Sequence, residues 1–259
     1  MFLADGRLSR PLVCLSIDVE WAHPLVLADM IGEIEARGIT ATFFVTHEGV
    51  EVPGHEAALH PNLKRGRSGR PSRDGDETDD DMYRRVVRET LSFAPGAIGV
   101  RAHSLFFDTA LLAVYSECGI AYDSSYALQL VDGLRPFRLA HDMVELPVYY
   151  MDHLDLLTGI GGLDPRALRL DEPGLKVLDF HPNMVFVNAP TDGFYRRSKA
   201  HYHDPEALAR MRHPGRGVRR MFLEVLDLVA SRGLATATLG EVDRAWRKAT
   251  GLTVGQPST

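Results

Sequence analysis

Apolar residues along this chain gather in short runs, and ionisable residues stand where each run stops. Residues 11–17 (PLVCLSI) are too few for a buried helix and include β-branched side chains, so they predict a buried strand that delivers Asp18 and Glu20 at its end. Residues 25–36 have helical spacing and stop at Arg37-Gly38, a cationic last turn followed by a glycine cap. Residues 39–45 (ITATFFV) predict a second strand, dense in β-branched and aromatic residues, ending at Thr46-His47. Strand, helix and strand in this compass form a βαβ unit and predict a parallel sheet.

The pattern continues in shorter pieces. Residues 82–93 predict a helix closed by Pro95-Gly96. Residues 98–100 predict a strand running into Arg101, Ala102 and His103. Residues 109–118 predict a helix capped by Gly119, and 120–122 a short strand before Asp123. A strand over 143–150, interrupted by Pro147, ends at Asp152-His153, and one over 175–180 (LKVLDF) leads to His181. Residues 221–231 predict an amphipathic helix capped by Gly233, and 235–239 a last strand. Residues 65–81 break the rhythm with Gly, Ser, Pro and many charges, which predicts a polar surface loop or insertion at about 64–81; the tail from about Gly251 is expected to fray.

No repeat or linker divides the 259 residues, so one domain spanning 1–259 is expected. The net charge of -6, from 35 acidic and 29 basic residues, gives no electrostatic footprint for nucleic acid. The Arg-rich stretches 65–73 and 212–220 alternate with acids, Gly and Pro and read as solvated surface. Of the two cysteines, Cys14 and Cys118, neither has the spacing of a zinc ribbon or redox pair, which predicts free thiols. Residues 1–10 are too short and polar for a signal peptide, and no apolar run is long enough to span a bilayer; a cytoplasmic protein is expected.

Ionisable residues at strand ends are Asp18 and Glu20, His47, Arg101 and His103, Asp123, Asp152 and His153, and His181. In parallel sheets and barrels these ends share one face, where catalytic groups collect. Asp18 and Glu20, two apart, point to one side of an extended chain and repel unless a cation or proton intervenes. Alone they would read as loop or capping acids; the histidines ending other strands argue for a site. His55 and His60 are five apart, which does not suit two ligands on one helix face. His55 reads as a solvent-facing loop residue and His60 as a metal ligand. Asp152 and His153 suit a supporting partner, a substrate hydroxyl contact or plain surface. His201, His203 and His213 read as solvated, with Tyr195 and Tyr202 nearby able to stack on a sugar ring.

Ser16-Ile17-Asp18-Val19-Glu20, Ala41-Thr42-Phe43-Phe44-Val45, His60-Pro61-Asn62, Gly99-Val100-Arg101 and Asp179-Phe180-His181 follow the motif order of the polysaccharide deacetylase (NodB homology) family. The resemblance runs from about Val13 to Leu239. It is closest to a divergent bacterial branch associated with surface-polysaccharide biosynthesis.

That resemblance implies an α/β distorted (β/α) barrel with parallel strands and outer helices, one divalent metal ion, and removal of an acyl group, N-acetyl above all, from an amino sugar or polysaccharide precursor. The base falls on Asp18, the metal carboxylate on Glu20 (Asp in most of the family), the first metal histidine on His60, the arginine orienting the base on Arg101, and the catalytic acid on His181. Asp123, Asp152, His153 and Asn62 are expected to face the substrate. Nitrogen and oxygen ligands suit zinc first, with iron, cobalt or nickel also compatible.

Two departures stand out. The family's second metal histidine meets Lys64, so His103 or His47 replaces it or the metal is lost; His103 is preferred because it leaves a strand end two residues from Arg101. The Pro-rich loop that usually follows the arginine is absent, so its backbone oxyanion contacts do not carry over. The expected partner is a carbohydrate, with no nucleic acid and no membrane span, and the oligomeric state is not legible. In a cytoplasmic protein the substrate would be a nucleotide- or lipid-linked intermediate. Three rivals remain. One is a metal-independent amidohydrolase of the same superfamily acting on a small cyclic amide. Another is a non-catalytic sugar-binding relative. The third is carboxylate-only glycoside hydrolysis, which gives the histidines no task.

Overall fold

The computed structural model describes residues 2–63 and 78–252. Lys64, most of the expected 64–81 loop, the 65–73 arginines and the chain beyond Leu252 lie outside the described residues.

Nine strands form one sheet: β1 (Pro11–Asp18), β2 (Ala41–Val45), β3 (Glu56–Leu59), β4 (Gly99–Val100), β5 (Tyr122–Asp123), β6 (Phe137–Arg138), β7 (Val144–Glu145), β8 (Val148–Met151) and β9 (Gly174–Phe180). Their order is β6-β7-β5-β4-β3-β2-β1-β9-β8, and every neighbouring pair is parallel except β6 with β7. The chain leaving β5 bonds to β8, with Leu128 N–H donating to the Val148 carbonyl and Leu130 N–H to that of Tyr149. This draws the far edge back toward β5 and curls the sheet into an incomplete barrel, the expected distorted (β/α) fold.

Helices α1 (Pro24–Glu35), α2 (Asp79–Phe93), α3 (Thr109–Glu117), α4 (Asp152–Thr158), α5 (Pro182–Phe186), α6 (Asp192–Ser198), α7 (Pro205–Met211), α8 (Val218–Ser231) and α9 (Leu239–Thr250) complete the described chain. α1, α5 and α8 bury Val26, Met30, Met184, Met221, Phe222 and Val225 against the outward residues of β1 and β9. α2 and α3 cover β3 and β4 in a second cluster.

Strand alternation decides what faces the interior. In β1, Val13, Leu15 and Ile17 join the helix-facing core, while Leu12 and Cys14 join the inner cluster, so Ser16 and Asp18 continue the inner row. In β9, Leu175 and Val177 are inner, and Asp179 follows in the same register, opposite Ser16. The barrel interior is thus apolar at the bottom and changes to Ser16, Asp18 and Asp179 at the C-terminal ends of its strands. Gly99 belongs to this interior: a Cβ there would meet the Tyr122 ring at 1.9 Å.

Several expectations need correction. The loop ends earlier than residue 81, because Thr78 caps α2 and Asp79, Asp80 and Asp81 occupy its first turn, where the helix dipole favours acids. The strand expected over 143–150 is two, β7 and β8, separated by Leu146-Pro147, since proline cannot donate to a ladder. The last strand over 235–239 is a single bridge from Thr236 to Val13. Leu239 instead begins α9 behind a Thr238/Glu241 capping box, and Val242 and Trp246 of that helix plug the barrel floor. Gly251 caps α9, and the chain beyond Leu252, where the tail is expected to fray, lies outside the described residues. His55 is not solvent-facing: its side chain is 2% exposed, and Nδ1 accepts the Ala41 N–H. The arginines of 212–220 are tied down rather than simply solvated, Arg219 to Asp29 and Glu33, Arg216 to Glu224, and Arg212 to the Phe186 carbonyl.

Candidate active site

Four strand ends and the turns behind them build the site. β1 ends in Asp18 and passes into a turn in which Glu20 (φ 51) and Trp21 (φ 54) both adopt left-handed backbone, uncommon for such residues. Contacts from elsewhere hold that turn. The Tyr202 hydroxyl donates to the Glu20 carbonyl at 2.6 Å, Trp21 N–H donates to Thr46 Oγ1 at 3.1 Å, and the Trp21 ring meets His103 edge-on. The Glu20 carboxylate is thereby carried over to β3 and β4. There His103 Nδ1 lies 2.8 Å and His60 Nε2 3.5 Å from Glu20 Oε1, and the two imidazole nitrogens are 3.4 Å apart.

Glu20, His60 and His103 therefore present three ligand atoms within 4.8 Å of one another. Asp18 Oδ2 is 3.7 Å from His60 Nε2. Burial works to raise the Glu20 carboxyl, but hydrogen bonds from His103 and His60 outweigh it and hold the group well below its ordinary value. His60 is raised despite burial, by Asp18 and Glu20, which marks a strongly negative field between these groups. Two imidazoles, a carboxylate and a neighbouring acid form a donor set that fits a divalent transition metal.

Behind this trio lies Arg101, fully buried and stacked over Phe44 at 4.1 Å. Its Nη1 donates to Ser16 Oγ (3.0 Å), Asp18 Oδ1 (2.9 Å) and Asp179 Oδ1 (2.6 Å), while Nε and Nη2 donate to the carbonyl and hydroxyl of Ser124. One guanidinium thus serves two buried carboxylates. The outcome is unequal: burial opposes ionisation of Asp18, but His60, Arg101 and His181 overcome it and keep the carboxyl below its usual value. Asp179, deeper and burdened by burial, is pushed up to about 8. Removing Arg101 would strand both acids, a change that costs roughly 3–5 kcal/mol for a broken buried pair.

On the other side of Asp18 stands His181, its Nε2 3.9 Å from Asp18 Oδ2. Asp152, at the start of α4, receives both the His181 Nδ1 at 2.6 Å and its backbone N–H at 2.9 Å. Burial alone would lower this imidazole; the Asp152 charge and hydrogen bond, with Asp179 and Asp18, raise it well above its ordinary value. An ionised carboxylate and a protonated imidazole therefore share one cavity of about 340 Å³, lined by Asp18, Glu20, His103, Met151, His153, His181, Met184, Tyr195 and Lys199 among others.

The structure brings Asp18, Glu20, His60, Arg101, His103 and His181 together. His153 joins the cavity wall, its Nε2 3.6 Å from Asp192 and its ring edge-on to His181. The other candidates fall elsewhere. His47 bonds to Thr46 Oγ1 in a separate cleft beside α1, so of the two replacements for the missing histidine only His103 reaches Glu20. Asp152 is fully buried and supports His181 rather than facing a substrate. Asp123, 1% exposed, accepts from Ser125 Oγ outside the cavity, and Asn62 is half-buried and also outside its lining. Lys64 lies outside the described residues.

Asp179 is the acid that the sequence pattern leaves without a role. Its signal was an acid inside an otherwise apolar strand, two residues before His181. Met151 at the end of β8, Met184 on α5 and Lys199 in the turn after α6 reach the cavity without a local signature in the sequence.

A curled parallel sheet with acids and imidazoles at its C-terminal rim defines a barrel of the polysaccharide deacetylase type. The family model of WbmS-like polysaccharide deacetylases matches residues 15–199, and the chain belongs to that family. Among solved structures, a polysaccharide deacetylase of Bordetella bronchiseptica described as involved in O-antigen biosynthesis is similar, with 29% identity, a TM-score of 0.72, and coverage of 83% of this chain and 90% of that one. A polysaccharide deacetylase structure from Mycobacterium smegmatis shares the fold at 18% identity and a TM-score of 0.58, covering 98% of this chain and 95% of that one. No curated protein matches the sequence significantly. No helix among the described residues is long and apolar enough to cross a membrane.

Proposed function

We propose that this protein hydrolyses an acyl amide, N-acetyl above all, on an amino sugar of a surface-polysaccharide precursor, with a divalent ion, zinc by preference, held by Glu20, His60 and His103. The observation that carries this reading is the placement of an ionised Asp18 and a protonated His181 on one cavity, beside a Glu–His–His donor set. The similarity to the Bordetella bronchiseptica protein supports the surface-polysaccharide context.

The bound ion would polarise the acyl carbonyl and lower the pKa of water beside it. Asp18 takes the proton from the attacking water while Arg101 fixes its other oxygen, so the free oxygen faces the cavity. The water oxygen bonds to the acyl carbon and the C–N bond breaks. His181 gives its proton to the departing nitrogen, because an unprotonated amide nitrogen is a poor leaving group. Asp152 holds the imidazole in the tautomer and orientation this transfer needs, and stabilises its charge. Tyr195 and Met184 offer apolar surface to the sugar.

The test is elemental analysis of protein purified without a histidine tag, combined with acetate release from N-acetylated saccharides before and after chelation. About one ion per chain is expected, together with loss of turnover on chelation, recovery with zinc or cobalt, and a sharply lower metal content in His60→Ala. Full turnover in chelated protein would establish metal-independent hydrolysis instead. Binding of acetylated sugars without any acetate release would mark a non-catalytic relative.

A further inference from the structure

Charges around the cavity are matched with one exception. Asp18 has Arg101, Glu20 has His103 and His60, and His181 has Asp152, while burial lowers His153 below the ordinary imidazole value and leaves it no charge to match. Lys199 lines the same cavity with its ammonium 4.8 Å from the centre of the Tyr195 ring, and no carboxylate lies within 4 Å of it among the described residues. The neighbouring acid, Asp192, gives Oδ2 to Arg196 at 2.6 Å, while its Oδ1 lies 3.6 Å from His153 Nε2 with no hydrogen-bond partner among the described residues. The wall that carries His181 thus presents an unmatched positive charge to whatever fills the cavity.

We infer that Lys199 selects an anionic substrate, by pairing with a carboxylate or phosphate on the sugar whose acyl group is removed. This rests on the deacetylase reading above and deepens it. The cavity of about 340 Å³ lies at the small end of ligand pockets, roughly 300–1,000 Å³. It suits one sugar ring with its substituents, so the anion must be on that ring or attached directly to it. Two chemistries meet this condition, a uronic acid carboxylate and an anomeric phosphate. A lysine ammonium serves either, being a compact point charge with rotatable donors rather than a planar fork. Lys199 is an exposed residue of the cavity wall, and its seat 4.8 Å from the centre of the Tyr195 ring limits where the charge can go. The purely neutral wall expected for an N-acetylhexosamine polymer would need no cation here.

The experiment measures binding at neutral pH, by saturation-transfer NMR titration of the metal-loaded protein, for three probes: N-acetylglucosamine, N-acetylglucosamine 1-phosphate and an N-acetylated hexosaminuronic acid. The wild type is expected to bind at least one anionic probe roughly tenfold more tightly than the neutral sugar. Lys199→Met should abolish most of that ratio and Lys199→Arg should keep most of it. Preference for the phosphate or for the uronate identifies the source of the charge. Equal affinities for all three probes in the wild type, or an unchanged ratio in Lys199→Met, overturn the inference. Acetate release from the same probes is followed in parallel. Charge-dependent binding without hydrolysis sinks the deacetylase reading alone, and hydrolysis without charge preference sinks this one alone.

Discussion

Two pairs of buried carboxylates sit at strand ends in this molecule, and only one of them makes a site. Asp18 and Asp179 end β1 and β9 and share the Arg101 guanidinium; His60 and His181 flank Asp18, which opens onto the cavity. Asp123 and Glu145 end β5 and β7 in direct register, 1% and 0% exposed. Asp123 accepts from Ser125 Oγ and Glu145 Oε1 from the Tyr126 N–H, while Glu145 Oε2 has no partner among the described residues. Burial pushes Asp123 up to about 6, and burial with the Asp123 charge pushes Glu145 well above its ordinary value. Position at a strand end is common to both pairs. What separates them is a counter-charge within hydrogen-bond reach of the acid and an opening beside it, which keep a costly buried acid ionised and accessible from the cavity.

The comparison is tested most severely at Asp18. Asp18→Asn keeps the shape and a partner for Arg101 but removes the base, so turnover is expected to fall on the order of 10³-fold while metal content is retained. Near-normal acetate release by this variant would show that another group takes the proton. Asp152→Asn should have the next largest effect, roughly 10- to 100-fold on turnover, as for lost partners of functional histidines. It also makes a signed prediction about pH. The folded-state value of His181 is raised, so its protonated form persists above the ordinary imidazole range, and activity on the alkaline side is lost only as pH rises through that raised value. Losing the Asp152 charge lowers it, so the alkaline limb of the pH–rate profile must move to lower pH. An alkaline limb that stays in place would detach His181 from the proton transfer.

How far the sequence reaches follows from the same contrast. The strands β1, β2 and β9 are readable because central parallel strands are covered on both faces and appear as unbroken apolar runs, and their terminal Asp18 and His181 come with them. β3 is not readable. Glu56 and the alanines of EAAL carry no strand signal, and the segment becomes a strand only by pairing with β2, so His60 is recognised by its motif rather than by its strand. His103 and His47 look alike in the sequence, both just past an apolar run. Tertiary structure separates them, because β4 lies beside β3 and delivers His103 to His60, while His47 turns toward α1. Asp123 misleads for a related reason. Nothing local reveals that Ser125 and Tyr126 fold back over the β5 end and close it. Lys199, just past α6, reaches the cavity only through the packing of that helix, 98 residues beyond Arg101 in the chain and invisible to any local pattern.

The smallest effect on activity, and the sharpest test of the closed pair, belongs to Glu145→Gln. A carboxyl whose folded-state value is raised binds protons in the native state that it has lost in the unfolded chain. Its contribution to stability is therefore complete below the ordinary carboxylate range and disappears as pH rises through the raised value. For Asp123 that window runs from about 4 to about 6, and for Glu145 it extends upward from the ordinary glutamate value of 4.5. The pair's contribution should fall across this range in the wild type relative to Glu145→Gln, by on the order of 1–3 kcal/mol at about 1.4 kcal/mol per pKa unit. Glu145→Gln removes one charge and relieves the other, so its denaturant midpoint should change less with pH and exceed that of the wild type in mildly alkaline buffer. Turnover should be little altered, because neither acid lines the cavity. A Glu145→Gln profile parallel to that of the wild type from pH 4 to pH 7 would mean that the pair carries no such penalty, and the contrast with Asp18 and Asp179 would fail.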